Sequence, residues 1–235
     1  MVAAGSWPVT RWNQSYDAWE SYWRGAWGET LRICDDFIEQ VEAGFPHPIA
    51  SELYSLRALI RVTRDDEAAL DDARAAVTCA RRVQDPRVVY PAIAFNAQVA
   101  AELGGHGEAN RLVDELLCKK GPEPFPSYVV PLALSAHRCG RADDVLVRLE
   151  ELAPTPWRDA AAALVRGAHV EAAERLATIG VLPEEAHARL LAAEALTAVG
   201  RVEDAALQLS RCMPFFESIG ASAYARRAED VPVRE

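Results

Sequence analysis

The feature that most constrains this chain is a short stretch that recurs between helix-forming segments. It reads RGAWGETL, TRDDEAAL, LGGHGEAN, RCGRADDV, VRGAHVEAA and VGRVEDAA in chain order. Each copy follows a segment rich in Ala and Leu, which favour helix, and opens another such segment. The equivalent turn positions are Gly25, Arg64, Gly104, Gly140, Gly167 and Gly200. A chain with this pattern is a row of helical hairpins.

Small residues recur at two fixed distances from these turns. Seven residues before the turn stand Ala18, Arg57, Ala97, Ala133, Ala160 and Ala193. Five residues after it stand Thr30, Ala69, Ala109, Val145, Ala172 and Ala205. Two helices approach closely only where the side chains at their crossing are small, so we expect these positions to be buried. Arg57 is the misfit.

The intervals between turns are 39, 40, 36, 27 and 33 residues, which average close to the tetratricopeptide period of about 34. We therefore predict an all-α fold: a right-handed solenoid of about six tetratricopeptide-like helical hairpins with a short C-terminal capping helix. The predicted pairs cover 13–43, 48–84, 87–119, 126–152, 156–179 and 183–218. Pro91 is expected in the first turn of the third pair, and Pro214 inside the last helix. The predicted domains are an extension (1–12), the solenoid (13–220) and a cap with a tail (221–235).

Composition limits the partners and the compartment. A formal net charge of −10 argues against nucleic acid, because binding phosphates requires a basic face. No uncharged apolar run reaches the roughly 18 residues that a membrane helix requires. Five cysteines without a CxxC spacing predict neither disulfides nor a zinc site, but buried free thiols in a reducing cytoplasm. We expect a cytoplasmic protein.

Three stretches carry a resemblance to a known family. They are ALDDARAAVTCARRVQDPRVVYPAIAFNAQVAAELGGHGEANRLVDELL, TPWRDAAAALVRGAHVEAAERLATIG and EEAHARLLAAEALTAVGRVEDAALQLSRCMPFFESIGASAYARRAED. From about Gly25 to Asp230 the chain resembles the C-terminal helical repeats of large bacterial signalling proteins. Those proteins join an AAA- or STAND-type ATPase, sometimes with a class III nucleotide cyclase or a LuxR-type DNA-binding domain, to tetratricopeptide-like repeats.

The resemblance implies a sensing or scaffold module and not a catalyst, since the catalytic parts of such proteins would lie upstream. We expect a regulatory or scaffolding module with no cofactor. The chain has no phosphate-binding loop of the type G-x-x-x-x-G-K-[ST], since GGHGEAN lacks the lysine and the hydroxyl. Whether the chain is a fragment or a complete product stays open.

Acidic motifs offer an alternative reading as an enzyme. Asp35, Asp36 and Glu39 spell the DDxxE motif with which terpene synthases hold magnesium diphosphate, but the second half of that signature has no counterpart. We interpret the three residues as a solvated face of the first pair's second helix. The pairs Asp71–Asp72, Asp143–Asp144 and Glu184–Glu185 receive the same interpretation, since carboxylates favour helix starts.

The histidines and cysteines show no spacing that is typical of a catalytic or metal-binding site. His137, Arg138 and Cys139 are adjacent, but neighbouring helical residues point in different directions, so no Cys–His pair is expected. The five histidines show no HxxxH or HExxH spacing, and we predict no metal site.

The most productive place for a partner is the groove, which the first helix of each pair lines in a tetratricopeptide solenoid. Aromatic residues and arginine commonly anchor interfaces. The register predicts these groove-facing residues: Trp19, Tyr54, Arg61, Gln98, Glu102, His137, Arg138, Trp157, His187 and Glu194. For Tyr54 and Trp157, a place in the core between repeats is an equal alternative.

The N-terminal end carries aromatic residues at three- and four-residue spacing, which places the rings along one side of a helix. They are Trp12, Tyr16, Trp19, Trp23 and Trp27. A terminal repeat normally presents a polar face, so this stripe predicts a covering surface, either a preceding repeat or a second copy in a homodimer. The alternative is that the rings fold inward against the second helix of their own pair.

Three functions follow. The first is a non-catalytic module that binds a protein or peptide. The alternative is a sensor that holds a small ligand or peptide in the groove. An all-α enzyme is the remote third.

Overall fold

A computed structural model of the protein describes residues 9–119 and 126–232. Within these ranges the chain is all-helical, with thirteen α-helices, one 3₁₀ turn at Pro126–Tyr128 and no strand. The α-helices are α1 (Val9–Trp23), α2 (Trp27–Glu42), α3 (Ala50–Val62), α4 (Ala69–Val83), α5 (Pro86–Glu102), α6 (His106–Leu117), α7 (Val129–Cys139), α8 (Ala142–Glu150), α9 (Pro156–Val165), α10 (His169–Ile179), α11 (Leu182–Ala198), α12 (Val202–Ile219) and α13 (Ser222–Glu229). None of the described helices is long and apolar enough to cross a membrane.

Each predicted pair corresponds to two of these helices, with two corrections at helix starts. Helix α1 begins at Val9, so the end of the predicted extension is helical; the nearest helix-breaking proline, Pro8, precedes it in the sequence. Helix α5 begins at Pro86, where the Asp85 side chain accepts a hydrogen bond from the Arg87 amide over 2.9 Å. Pro91 therefore lies in the second turn of α5, and not in the first.

All six hairpin turns are closed by the same backbone hydrogen bond. The amide after the turn residue donates to the carbonyl five residues earlier, as from Arg201 to Leu196 over 2.9 Å. This is the Schellman pattern, which requires a left-handed turn residue, and at five turns that residue is the predicted glycine. At the second turn the Asp66 amide donates to Arg61, so the left-handed residue is Asp65 (φ 54°) and not Arg64.

This shift explains the misfit in the register. Counting seven residues back from Asp65 reaches Ala58, which is buried, whereas Arg57 lies one position away. The predicted small residues of the other five first helices are fully buried, and so are all six predicted after the turns. The predicted burial of these positions is therefore confirmed. In the first helix of the second pair, the small residue at the crossing is Ala58 and not Arg57.

Successive pairs pack side by side in chain order. Helices α1, α3, α5, α7 and α9 contact one another in sequence, and each second helix contacts the first helix of the next pair. The ion pairs between neighbouring pairs have repeat-length spacing: Arg74 donates to Glu108 and Arg81 to Glu115, 34 residues apart and over 2.7 Å in both cases. These arginine–glutamate pairs join α4 to α6 on the outside.

The last pair returns to the first two. Helix α11 contacts α1, and the Trp27 ring lies 6.4 Å from the ring of Phe215 in α12, measured between centroids. The amide of Ala223 in α13 donates to the carbonyl of Thr63, at the end of α3, over 2.9 Å. We call the side on which the first helices of the pairs contact one another the inner surface.

Candidate functional site on the inner surface

An aromatic cluster occupies one part of the inner surface. The ring of Trp19 lies 5.3 Å from that of Phe95 in α5, and the ring of Trp23 lies 6.0 Å from that of Trp157 in α9, between centroids. The Trp19 indole donates to the Glu52 carboxylate over 3.0 Å. Burial raises the pKa of Glu52 in spite of this hydrogen bond. Trp19 and Trp157, predicted for the groove, thus lie in one cluster, and both are half-buried.

A charged cluster occupies another part. Arg138 in α7 donates two hydrogen bonds to Glu102 in α5, over 3.1 and 2.6 Å. Arg227 in α13 donates to both oxygens of Glu194 in α11, and its Nη1 lies 3.7 Å from Oε2 of Glu102. The Glu102 side chain is only 5% exposed. Charges of alternating sign thus link four helices, which compensates the desolvation of the buried carboxylate.

Three of these residues were predicted for the groove, and Arg227 was not. The sequence places Arg227 in the cap, where a charged residue is expected to face water. Its distance of 33 residues from Glu194 matches the repeat period and could have identified it.

His187 is buried beside the charged cluster. Its Nε2 lies 3.5 Å from Glu102, and its Nδ1 lies 3.4 Å from the Tyr224 hydroxyl. Burial lowers the pKa of His187 well below its usual value, and the nearby arginines act in the same direction. Burial likewise lowers the pKa of His169 to about 4, where its ring meets that of His137 edge-on at 4.8 Å.

A small cavity of about 20 Å³ lies where the first and last pairs meet. Gln98, Glu184, His187 and Tyr224 are among its lining residues. Part of the Glu184 side chain reaches the surface, but its Oε2 is sealed from solvent without a hydrogen-bond partner. Burial raises the pKa of Glu184 to about 8. A cavity of this volume holds one water molecule and no larger ligand.

Tyr54 and Arg61 belong to neither cluster. The Tyr54 hydroxyl donates to Glu42 in α2 over 3.3 Å, and Arg61 donates to Asp72 in α4 over 2.6 Å. Both partners lie on second helices. The one-residue shift at Asp65 accounts for this placement, because it rotates every position counted back along α3.

The acidic motifs lie in two different environments. Asp35, Asp36 and Glu39 are exposed on α2, as predicted. Two other predictions are wrong: Asp72 is buried between arginines, and Glu184 lines the small cavity with its Oε2 sealed from solvent, so neither belongs to a solvated face. Among the residues that the structure describes, no group of three or more His, Cys, Asp or Glu side chains is arranged to hold a metal ion.

The described cysteines are all free, but their burial differs from the prediction. Cys34 and Cys212 are buried, and burial raises the pKa of their thiols to about 12 and 11. Cys79 and Cys139 are half-buried, and Cys118 is exposed, so the expectation of buried thiols is wrong for these three. The Cys139 sulfur lies 3.7 Å from Nδ1 of His106, a residue of the preceding pair, while burial raises the thiol pKa.

The N-terminal aromatic stripe is split between two environments. Trp12 is 37% exposed and Tyr16 is 71% exposed. Trp19 and Trp23 lie in the aromatic cluster, and Trp27 is buried in a stack on Tyr22, with 5.6 Å between centroids. The inward-facing rings of Trp19, Trp23 and Trp27 meet rings of α5, α9 and α12 as well as those of their own pair.

The chain matches no protein-family model and no curated protein. The resemblance to the repeat region of bacterial ATPase signalling proteins therefore stays an expectation, carried only by the stretches quoted above. What the site can do has to be argued from its own residues.

Proposed function

We propose that this protein is a non-catalytic interaction module, built as a tetratricopeptide-like right-handed solenoid of six hairpins. The repeated turn bond, the buried small residues at hairpin crossings and the side-by-side packing of successive pairs support the solenoid. The first helices of successive pairs contact one another, and in repeat proteins such a row of helices forms a surface that binds partners.

The observation that carries the function is the composition of that inner surface. Half-exposed Trp23 and Trp157 lie on the same surface as the partly exposed guanidinium of Arg138. Tryptophan and arginine dominate the binding energy of many protein interfaces. His187, the histidine beside the charged cluster, is poorly matched to proton transfer at neutral pH, because burial lowers its pKa well below its usual value.

A capture experiment with matched variants tests this proposal. The tagged chain is used as bait in an extract of the cells that produce it, beside Trp157→Ala and Val147→Ala. Trp157 lies on the inner surface, whereas Val147 is an exposed apolar residue of α8. We expect a protein retained by the parent and by Val147→Ala but lost with Trp157→Ala, and confirmed by calorimetry with the purified partner.

Two outcomes contradict the proposal. Equal retention by all three baits would show that the partner does not bind at the inner surface. A metabolite that raises the melting temperature at saturation, when no protein is retained, favours the sensor; at 100 times its dissociation constant it would stabilise the chain by about 2.7 kcal/mol.

We propose further that the partner or the adjoining domain belongs to a bacterial signalling system. The resemblance of the quoted stretches supports this, and the reading frame upstream of the gene tests it. An ATPase or cyclase frame is expected there, and a neighbourhood without signalling genes would argue against it.

A further inference from the structure

The short helix α13 is attached to the rest of the chain by polar contacts near its start and by Tyr224 and Ala228, which are buried in the hydrophobic core. At its start the Ala223 amide donates to the carbonyl of Thr63, and Arg64 donates to the Ile219 carbonyl over 2.7 Å. Arg226 forms an exposed ion pair with Asp65 of the second turn. These contacts join the C-terminal segment to a hairpin about 160 residues earlier in the chain.

Two side chains of α13 enter the inner surface, one turn apart. The Tyr224 ring lies 4.7 Å from that of His187, between centroids, and is buried. The Arg227 guanidinium lies between Glu194 and Glu102. An aromatic residue followed three positions later by an arginine on one helix face is the way in which helical peptides present anchors to a groove.

The fit of Arg227 is incomplete. Its Nη1 is sealed from solvent without a hydrogen bond, and so is Nε2 of His187. Arg227 Nη1 lies 3.7 Å from Oε2 of Glu102, beyond hydrogen-bond distance, so this contact contributes less to the attachment of α13 than a formed hydrogen bond would. A helix of eight residues contributes little stability of its own. The site therefore binds the tyrosine and the arginine of α13, although one donor of Arg227 makes no hydrogen bond there.

We propose that α13 is the internal occupant of a peptide site formed by α5, α11 and the α3–α4 turn, and that this site binds a helical segment of a partner protein with Tyr and Arg three residues apart. The inference rests on the proposed function and names the partner's chemistry. Charge complementarity supports a basic helix, because Glu102 and Glu194 supply the two carboxylates of the site and the chain has a net charge of −10.

The test uses the full chain with its internal occupant weakened. Tyr224→Ala with Arg227→Ala removes both anchors, and circular dichroism checks the fold. The probe is a fluorescent peptide of residues 219–232, and anisotropy measures its binding. We expect saturable binding to the double variant and binding to the wild type at least about tenfold weaker, because the tethered helix competes at an effective concentration on the order of millimolar.

Matched peptides separate recognition from non-specific charge. The peptide with Arg227→Ala should lose at least about tenfold in affinity, whereas the peptide with Arg226→Ala, of the same net charge, should keep it, since an exposed ion pair contributes little. Glu194→Gln in the double variant should weaken the unmodified peptide. If the double variant does not fold, Arg227→Met alone takes its place, and the same ranking of peptides is expected.

The inference is overturned if no folded variant binds the peptide, or if the two arginine-substituted peptides bind alike. It is also overturned if the wild type forms dimers that Arg227→Ala abolishes, because α13 would then be exchanged between copies. None of these results bears on the outcome of the capture experiment at Trp157. The proposed peptide site and the proposed interaction module can therefore be refuted independently.

Discussion

The ion pair of Arg57 and Asp72 should be the most strongly coupled pair of charges in the second hairpin. The guanidinium of Arg57 donates to both oxygens of Asp72, over 2.8 and 2.7 Å, and Arg61 donates to the same carboxylate over 2.6 Å. The two side chains are only 13% and 6% exposed. Arg57→Met and Asp72→Ala, singly and together, form the double-mutant cycle.

The structure sets different costs for the two single variants. Asp72→Ala leaves Arg57 with Asp35 alone, whose side chain is 58% exposed, and we expect a loss of about 3–5 kcal/mol. Arg57→Met leaves Asp72 bonded to Arg61, so the expected loss is about 1–3 kcal/mol. The double variant has no uncompensated buried charge. Its loss of stability should therefore be smaller than the sum of the losses in the two single variants by about 1.5–3 kcal/mol.

Urea unfolding followed by circular dichroism measures these free energies. The exposed pair of Arg32 and Asp36, 3.3 Å apart on α2, serves as the control cycle, with an expected coupling below about 0.5 kcal/mol. Additivity of the Arg57 and Asp72 variants within about 0.5 kcal/mol would refute the reasoning.

Three further predictions concern packing, pH and association. Ala133→Leu, at a fully buried crossing, should cost about 1–3 kcal/mol in the same urea assay, whereas Ala198→Leu on an exposed position should not. The folded state raises the pKa of Glu184 from 4.5 to about 8, so it binds the proton more tightly than the unfolded chain does, and stability should fall as pH rises between these values. Glu184→Gln should remove about 2–5 kcal/mol of that fall; an unchanged pH profile of unfolding would contradict this. If the exposed rings of Trp12 and Tyr16 form the predicted homodimer, light scattering should show dimers for the wild type and monomers after both are changed to Glu.

The hairpins were predictable because their signals are local. A glycine that can adopt a left-handed conformation, followed by a helix start, produces the same turn wherever it occurs. The exception illustrates the limit: Asp also tolerates that conformation, so TRDD left two adjacent candidates, and only the hydrogen bond of the Asp66 amide selects Asp65. A shift of the turn by one residue is enough to place Tyr54 and Arg61 outside the two clusters of the inner surface.

The site was predictable only in part. The register identified Glu102, Arg138, His187 and Glu194, which the structure brings together with Arg227. It could not indicate that they bond mainly to one another. Paired carboxylates at helix starts look alike in sequence, whether they face water or, as with Asp72 and Glu184, lie inside.

The sequence by itself determined the helices, their turns and the small residues at hairpin crossings, because each depends on residues within about one repeat of one another. The tertiary structure alone decided that the last pair meets the first two. The hydrogen bond from Ala223 to Thr63 joins residues about 160 positions apart, and no periodicity extends over that distance. Whether the ends meet depends on the small rotation between successive pairs, summed over all of them, and loop lengths and side-chain volumes at every interface contribute to that sum. The contact of the last pair with the first two forms the cavity that Glu184 lines, and the capping helix places Arg227 between two carboxylates.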